Sequence, residues 1–290
     1  MKRWVQGARP RTLPAAVVPV LVGTATAVGA VDGGLHWWRA GAALVVALAI
    51  QVATNYVNDY TDGQRGADDR RVGPVRLVAS GLATTGQVKR AALASALVAA
   101  AAGLALAVAV GPELLVVGAA SFAAGYLYTG GPRPYGYAGL GEAFVFVFFG
   151  VVATVGSSYV QIEQVSGLAL VASVPVGLLA TALLVVNNLR DIPTDAASGK
   201  RTLAVRVGEH RTRQLYAGLV GGALVSTALL VPARPGAVLA VLAVPLAVPP
   251  VRQVMVDQAT RAALVPALIG TGRLQLVFGA LLAAGLVVSA

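Results

Sequence analysis

The stretch NYVNDYTDGQRGAD, residues 55–68, follows one long apolar run, and NNLRDIPTD, residues 187–195, follows another. Both stretches place asparagine and aspartate three or four residues apart, a spacing that puts side chains on one face of a helix. The chain has only 12 acidic residues in 290, and half of them lie in or beside these two acidic clusters. Carboxylates beside apolar helices are costly to bury unless they are paired or bind a cation. The clusters therefore mark both helix ends and candidate chemistry.

Composition identifies the class of protein. Apolar residues make up 57% of the chain and charged residues only 12%, with a mean hydropathy of +0.76. Soluble domains carry about 25% charged residues, so the composition predicts an integral membrane protein. The absence of cysteine excludes disulfides and thiolate metal sites.

About nine segments approach the roughly 20 apolar residues that a membrane span needs. The predicted spans are Leu13–Val31, Ala40–Val57, Val88–Val110, Glu113–Tyr128, Gly139–Tyr159, Gly167–Leu189, Gln214–Val231, Gly236–Val251 and Leu274–Ser289. We expect an all-α bundle, with the proline-rich eighth span broken or tilted. The Arg-Pro-Arg flank favours a retained first span over a cleaved signal peptide.

The placement of basic residues supports this topology. With the N-terminus in the cytoplasm, all of the 22 basic residues except Arg39 and Arg234 fall in cytoplasmic segments, as the positive-inside rule predicts. The net charge of +10 thus needs no nucleic-acid partner. We expect a multi-pass protein of the plasma membrane whose acidic clusters face the cytoplasm.

Two long cytoplasmic loops, residues 58–87 and 190–213, each begin in an acidic cluster. This correspondence predicts a single domain over residues 1–290, built from related halves at 12–130 and 139–251 with a ninth helix at 273–290.

Basic residues follow each acidic cluster: Arg65, Arg70, Arg71 and Arg76 after the first, and Lys200, Arg201 and Arg206 after the second. Hard divalent cations take carboxylate and amide oxygens, and Mg²⁺ in particular binds a few carboxylates together with substrate phosphates. Acids for a metal beside bases for an anion indicate a metal–diphosphate site. Its position at the membrane suggests a diphosphate attached to a lipid tail.

A third segment, YLYTGGPRPYGYAGLGEAFVFVFFG, joins the fourth and fifth predicted spans. Its Tyr126 and Tyr128 are candidates for stabilising an allylic carbocation, because aromatic faces attract cations. Tyrosines are also common at membrane interfaces without a catalytic role. Arg133 is a candidate substrate contact, and Glu142 is a candidate for orienting a basic group.

These residues resemble the UbiA superfamily of intramembrane aromatic prenyltransferases. In that family two Asp-rich motifs end the second and sixth helices, and nine helices surround a central cavity open to the cytoplasm. The continuation GKRTLAVRVG, residues 199–208, matches as well. The segments NYVNDYTDGQRGADDRRVGPVRLV, ARPRTLPAAVVPVLVGTA and GTGRLQLVFGALLAAGL resemble the menaquinone-pathway branch of the family. The family's usual acid four residues after Asp62 is Gly66 here, and the next acid is Asp68.

The resemblance implies Mg²⁺-dependent transfer of a polyprenyl chain from its diphosphate to 1,4-dihydroxy-2-naphthoate, with loss of CO₂ and diphosphate, giving demethylmenaquinone. The implied metal ligands are Asp59, Asp62, Asp68, Asp191 and Asp195. Asp59, Asp62, Asp191 and Lys200 would act in catalysis. The implied substrate contacts are Asn55, Asn187, Asn188, Arg65, Arg201, Tyr126, Tyr128, Arg133 and Arg11, with Arg9 or Arg11 meeting the acceptor carboxylate.

Three alternatives stay open at this stage. Another aromatic acceptor, such as 4-hydroxybenzoate, would use the same diphosphate machinery. A cation- or proton-coupled transporter also uses intramembrane carboxylates. Solvated loop charges would leave the Asn–Asp helical spacing unexplained.

Overall fold

A computed structural model describes residues 2–65, 75–256 and 261–290, and within these ranges the protein is helical with no strand. The helices are α1 Lys2–Ala8, α2 Pro14–Thr26, α3 Trp37–Gln64, α4 Thr85–Ala109, α5 Glu113–Leu127, α6 Gly141–Val145, α7 Ala153–Ile162, α8 Gly167–Ala197, α9 Leu203–Val207, α10 Glu209–Ser226, α11 Val244–Met255 and α12 Leu264–Val288.

Every predicted span overlaps at least one of these helices. Within the described residues, six segments are long and apolar enough to cross a membrane: 37–64, 85–109, 141–162, 167–197, 235–255 and 264–288. The apolar helices α2 and α5 are shorter, and α10 is not among the six. The all-α membrane bundle is confirmed, whereas the count of nine spans stays a prediction.

Two segments depart from regular α-helix. The eighth predicted span begins as 3₁₀-helix at Pro235–Ala243 and continues as α11, which contains Pro249 and Pro250. The expectation that prolines break or tilt this span stays a prediction, because α11 runs through Pro249 and Pro250 and the 3₁₀ part precedes them. A π-helical stretch, Phe146–Val152, joins α6 to α7. Such stretches frequently occur at functional sites, and this one packs on α8.

Helix α8 is the central helix of the bundle. It contacts α2, α7, α10, α12 and the π-helical stretch. In its apolar membrane-spanning part 72% of the residues are buried, whereas in that of α4 only 22% are buried. The largest apolar cluster combines α8 with α2, α10, α11 and α12. Helices α3, α4 and α5 therefore form the opposite wall, and a cavity lies between the two.

Close packing beside this cavity depends on two glycines. A Cβ placed on Gly150 of the π-helical stretch would lie 2.5 Å from the Cα of Gly177 in α8. Small residues allow such backbone approach between membrane helices. The contact brings the phenylalanines of the π-helical stretch against the helix that carries the second acidic cluster.

Candidate active site

A cavity of about 750 Å³ lies between α2, α3, α5, the 141–162 segment and α8. Its polar end is lined by the two acidic clusters and by basic side chains, and the exposed residues Pro10 and Arg11 lie at this end. The remainder is lined by apolar side chains, including Phe144, Phe148 and Phe149. From Asp62 to Ala43, both on its wall, α3 covers 19 residues, or about 28 Å at 1.5 Å per residue. The cavity is thus long, charged at one end and apolar over most of its length.

The first cluster turns a different face to the cavity than its spacing predicts. Gln51, Asn55, Asn58 and Asp62 line the wall, at intervals of four, three and four residues. Asp59 is fully buried and is not part of the wall. The expectation that Asn55, Asp59 and Asp62 share one cavity face is therefore wrong for Asp59.

Asp59 binds the backbone of Leu77 and Val78. Its Oδ2 accepts a hydrogen bond from the backbone N–H of Leu77 at 2.8 Å, and its Oδ1 accepts one from Val78 at 3.0 Å. A carboxylate that receives backbone donors on both oxygens is oriented toward them. Its predicted metal role is not tested by these contacts and stays a prediction.

Asn55 ties the N-terminal segment to α3. Its Nδ2 donates to the carbonyl of Ala8 at 2.9 Å and to Oγ1 of Thr12 at 3.2 Å. Gln51 donates to the same Thr12 oxygen at 3.1 Å. Between these anchors Arg9 adopts a positive φ of 53° and lines the cavity with Arg11. The amide of Asn55 thus supports the residues that close the cavity's polar end.

The second cluster lies on the cavity wall throughout. Asn187, Asn188, Asp191 and Asp195 all line it, at positions that share one face of α8. Arg190 approaches Asp191 through two 2.8 Å bonds, from Nε to Oδ1 and from Nη2 to Oδ2. The same Nη2 donates to Oδ1 of Asn187 at 2.8 Å. A buried guanidinium therefore orients both an acid and an amide of the second cluster.

Asp62 is where the two clusters meet. Its Oδ1 accepts a hydrogen bond from the hydroxyl of Tyr137 at 2.9 Å. Its Oδ2 lies 3.6 Å from Nζ of Lys200 and 3.8 Å from Nη2 of Arg76. Lys200 Nζ also lies 4.0 Å from Oδ1 of Asp195, so one ammonium group faces a carboxylate from each cluster.

Tyr137 donates to this site and is not an ionised group. Burial, and after it the negative charge of Asp62, raises the pKa of the Tyr137 hydroxyl above its usual value. The phenol therefore stays protonated at neutral pH. Its ring faces the guanidinium of Arg65 at 4.9 Å and Lys200 Nζ at 5.2 Å.

Other predicted residues divide between the cavity and the surface around it. Tyr128 and Arg11 line the cavity. Arg65 instead donates to the carbonyls of Thr129 at 2.6 Å and Gly131 at 2.8 Å. Besides Asp59, the predicted residues off the cavity wall are Arg65, Arg133, Arg201 and Tyr126, the last of which lines a smaller cleft between α3, α4 and α5. Asp68 lies outside the described residues.

Sequence reasoning missed Asn58 as a residue of the cavity wall. Asn58 is four residues before Asp62, the spacing that separates Asn187 from Asp191. That repeated spacing is a signal for Asn58. Arg76 is one of the basic residues expected after the first cluster, and its Nη2 lies 3.8 Å from Oδ2 of Asp62.

The donor set at the polar end consists of carboxylate and amide oxygens, the ligands that Mg²⁺ takes. Within residues 2–65, 75–256 and 261–290, no three acidic, histidine or cysteine side chains converge closely enough to hold a metal alone. Such a site suits Mg²⁺ that is shared with a substrate phosphate, since Mg²⁺ is commonly held by one or two carboxylates plus phosphate oxygens.

Solved structures share this architecture. A UbiA homolog from Aeropyrum pernix superposes with a TM-score of 0.68 at 15% identity, over 96% of each chain. A UbiA homolog from Archaeoglobus fulgidus, bound to GPP and Mg²⁺, gives a TM-score of 0.65 at 15% identity, over 96% of this chain and 99% of that one. At 15% sequence identity, this structural similarity shows that the proteins share a fold.

Curated relatives and a family model match at the level of sequence. The 1,4-dihydroxy-2-naphthoate octaprenyltransferase of Mycobacterium tuberculosis is 50% identical, over 98% of this chain and 96% of that protein. The Escherichia coli protein of the same name is 39% identical, over 78% and 75%. The model of the UbiA prenyltransferase family matches residues 16–263. Together with the bundle and its cavity, these matches show that the chain is a multi-pass membrane protein that belongs to the UbiA prenyltransferase family.

Proposed function

We propose that this protein transfers a polyprenyl group from polyprenyl diphosphate to 1,4-dihydroxy-2-naphthoate, with release of diphosphate and CO₂. The observation that carries the proposal is the division of one cavity into a charged end, with Asp62, Asp191, Asp195 and Lys200, and a long apolar remainder. A lipid diphosphate has the same division. The naphthoate acceptor is inferred from the relatives that carry this activity in their names.

The charged end is suited to a diphosphate. Lys200 and Arg76 face Asp62 at 3.6 and 3.8 Å, close enough to neutralise both the carboxylate and a bound anion. Bound Mg²⁺ would stabilise the negative charge that develops on the leaving diphosphate. Asp62, Asp191 and Asp195 are the proposed carboxylate ligands, and Asn58, Asn187 and Asn188 add amide groups to the same wall.

The apolar remainder is suited to the prenyl tail. Phe144, Phe148 and Phe149 stand beyond the charged end, and Tyr128 stands close to it. Aromatic faces near the reacting carbon stabilise positive charge in the prenyl group and exclude water from it.

The acceptor would bind near the N-terminal segment. Arg9 and Arg11 line the polar end, and Asn55 and Gln51 hold the segment in place through Ala8 and Thr12. A guanidinium binds a carboxylate with two parallel hydrogen bonds. We assign Arg9 and Arg11 to the acceptor carboxylate.

In the proposed reaction the bond from prenyl C1 to the diphosphate oxygen breaks, and its electrons leave with diphosphate. A carbon–carbon bond forms between C1 and the electron-rich ring. The ring carboxylate leaves as CO₂, and the electrons of that bond return to the ring. The product is the reduced form of demethylmenaquinone.

The experiment is incubation of the purified protein with Mg²⁺, a polyprenyl diphosphate and either 1,4-dihydroxy-2-naphthoate or 4-hydroxybenzoate, followed by mass analysis. We expect a decarboxylated prenyl product from the naphthoate and its loss when Mg²⁺ is chelated. A prenylated acid that retains its carboxyl group, or turnover of 4-hydroxybenzoate alone, would contradict the proposed acceptor. Ion flux in proteoliposomes without any prenyl product would indicate a transporter.

The orientation in the membrane is also a proposal. The cavity's polar end and the N-terminus lie on the side that carries nearly all basic residues, which the positive-inside rule assigns to the cytoplasm. Labelling of single cysteines introduced at Lys2 and at Asp32 in intact cells would test it. We expect only the second to react with an impermeant reagent.

A further inference from the structure

Two adjacent asparagines of the second cluster have oppositely directed amides. Asn187 uses its Oδ1 to accept a bond from Arg190 at 2.8 Å. Asn188 uses its Nδ2 to donate to Oε1 of Glu142 at 3.0 Å. Both residues line the cavity. Since the oxygen and nitrogen of an amide point in different directions, Asn187 is left with its NH₂ group for the cavity and Asn188 with its oxygen.

Glu142 determines this orientation from behind the wall. It is buried, at 8% exposure, and does not line the cavity. Its Oε1 accepts the hydrogen bond from Nδ2 of Asn188 at 3.0 Å, so the Asn188 amide presents its NH₂ group to Glu142. Within the described part of the chain, the Oδ1 of Asn188 accepts no hydrogen bond. Because Asn188 lines the cavity, we infer that this oxygen faces the cavity.

The two orientations suit different partners in the site. An amide oxygen is a ligand for Mg²⁺, whereas an amide NH₂ group donates to phosphate oxygens and repels a cation. An asparagine free to rotate by half a turn would present either group. A fixed Asn188 presents only the metal-binding one, on the same helical face as Asp191 and Asp195.

We propose that Glu142 is a positioning residue, which locks the Asn188 amide so that its carbonyl oxygen faces the metal–diphosphate site. The inference rests on the proposed function and adds to it a residue that touches neither substrate. It replaces the expectation that Glu142 orients a basic group, because its partner in the structure is an amide.

The test compares Glu142→Gln with the double variant Glu142→Gln/Asn188→Asp. A glutamine accepts as well as donates, so it no longer fixes the amide. We expect the Mg²⁺ concentration for half-maximal activity to rise about tenfold, since loss of a partner behind a metal ligand typically costs 10–100-fold in metal affinity. In the double variant the introduced glutamine donates to the introduced carboxylate, whose other oxygen faces the cavity, and the Mg²⁺ requirement returns toward wild type.

A second readout is independent of turnover. Mn²⁺ binding to the protein with inorganic diphosphate, followed by electron paramagnetic resonance, should weaken in Glu142→Gln and recover in the double variant. The matched control is Glu163→Gln, which removes a surface carboxylate paired with Arg39 at 2.8 Å and should change neither quantity.

Unchanged Mg²⁺ and Mn²⁺ affinities in Glu142→Gln would overturn the inference while leaving the proposed function intact. Reduced activity that the double variant does not restore would also overturn it, because a purely structural role of Glu142 has that result. If Glu142→Gln unfolds, Mn²⁺ binding by the double variant tests the inference. We then expect the double variant to bind Mn²⁺ with wild-type affinity, and weaker binding would overturn the inference. Failure of the wild-type protein to bind Mn²⁺ or form product would instead overturn the proposed function itself.

Discussion

In the first cluster the carboxylate of Asp59 accepts backbone hydrogen bonds from Leu77 and Val78, whereas in the second the carboxylate of Asp191 lies on the cavity wall beside Arg190. The two aspartates hold the same place in an Asn-x3-Asp pattern that begins at Asn55 and Asn187. Their different surroundings follow from how far each helix is turned about its axis.

The counterpart of the second cluster on α3 begins three residues later. Asn58 and Asp62 have the same spacing as Asn187 and Asp191, and all four line the cavity. Asp59 follows Asn58 directly and is turned by about 100° from it, away from the cavity. The comparison teaches that Asp62 is the positional equivalent of Asp191 on the cavity wall, whereas Asp59 accepts hydrogen bonds from the backbone of Leu77 and Val78.

The largest expected effect is on Asp62 and Asp191. We expect Asp62→Asn and Asp191→Asn each to lower kcat/KM by about 100-fold or more, because each removes a charge from the proposed metal–diphosphate site. Product formation by the detergent-solubilised variants measures this. Asp32→Asn, at an exposed position outside the cavity, is the control. Full activity in either active-site variant would refute the assignment.

The next largest effect distinguishes the roles of Lys200 and Arg65, the basic residues that follow the second and the first cluster. Lys200→Met should raise KM for the prenyl diphosphate about tenfold or more, because Lys200 faces both Asp62 and Asp195 on the cavity wall. Arg65→Met should act mainly on stability, since its guanidinium bonds the carbonyls of Thr129 and Gly131. Titration of the donor substrate and a melting curve for each variant distinguish them. Equal changes in KM would mean that Arg65 also reaches the substrate.

A smaller effect tests the comparison at Asp59. Asn has one acceptor oxygen, so Asp59→Asn leaves one of the two loop N–H groups without its partner. We expect a loss of about 2 kcal/mol in stability and a loss of activity much smaller than that of Asp62→Asn. Thermal melting and turnover of the two variants, measured side by side, provide the check. If Asp59→Asn loses metal-dependent activity while its melting temperature is unchanged, Asp59 is a metal ligand and not a residue that acts on stability.

The smallest effect concerns helix packing beside the site. Gly150→Ala places a Cβ 2.5 Å from the Cα of Gly177 and should cost about 1–3 kcal/mol. Gly156→Ala on α7 is the matched control, because a Cβ there meets nothing within 4 Å. Melting temperatures of the two variants in one detergent measure the difference. Equal melting temperatures would show that the α8 contact tolerates separation of the two backbones.

Much of the fold was predictable because hydropathy and helix ends are local properties. Each predicted span overlaps one of the helices of the structure. The acidic clusters were also found locally, from their composition and spacing. The cavity residue Asn58 was not, because the rotation of α3 about its axis depends on contacts with distant parts of the chain.

The sequence by itself determined an all-α membrane protein with two Asn–Asp clusters at helix ends, since apolar length and the helical period are written in adjacent residues. Only the tertiary structure decided which face of each helix lines the cavity. The helical period fixes angles between residues of one helix, but packing against other helices fixes the direction of the whole set. The same packing brought Lys200 between Asp62 and Asp195 and placed Glu142 behind Asn188.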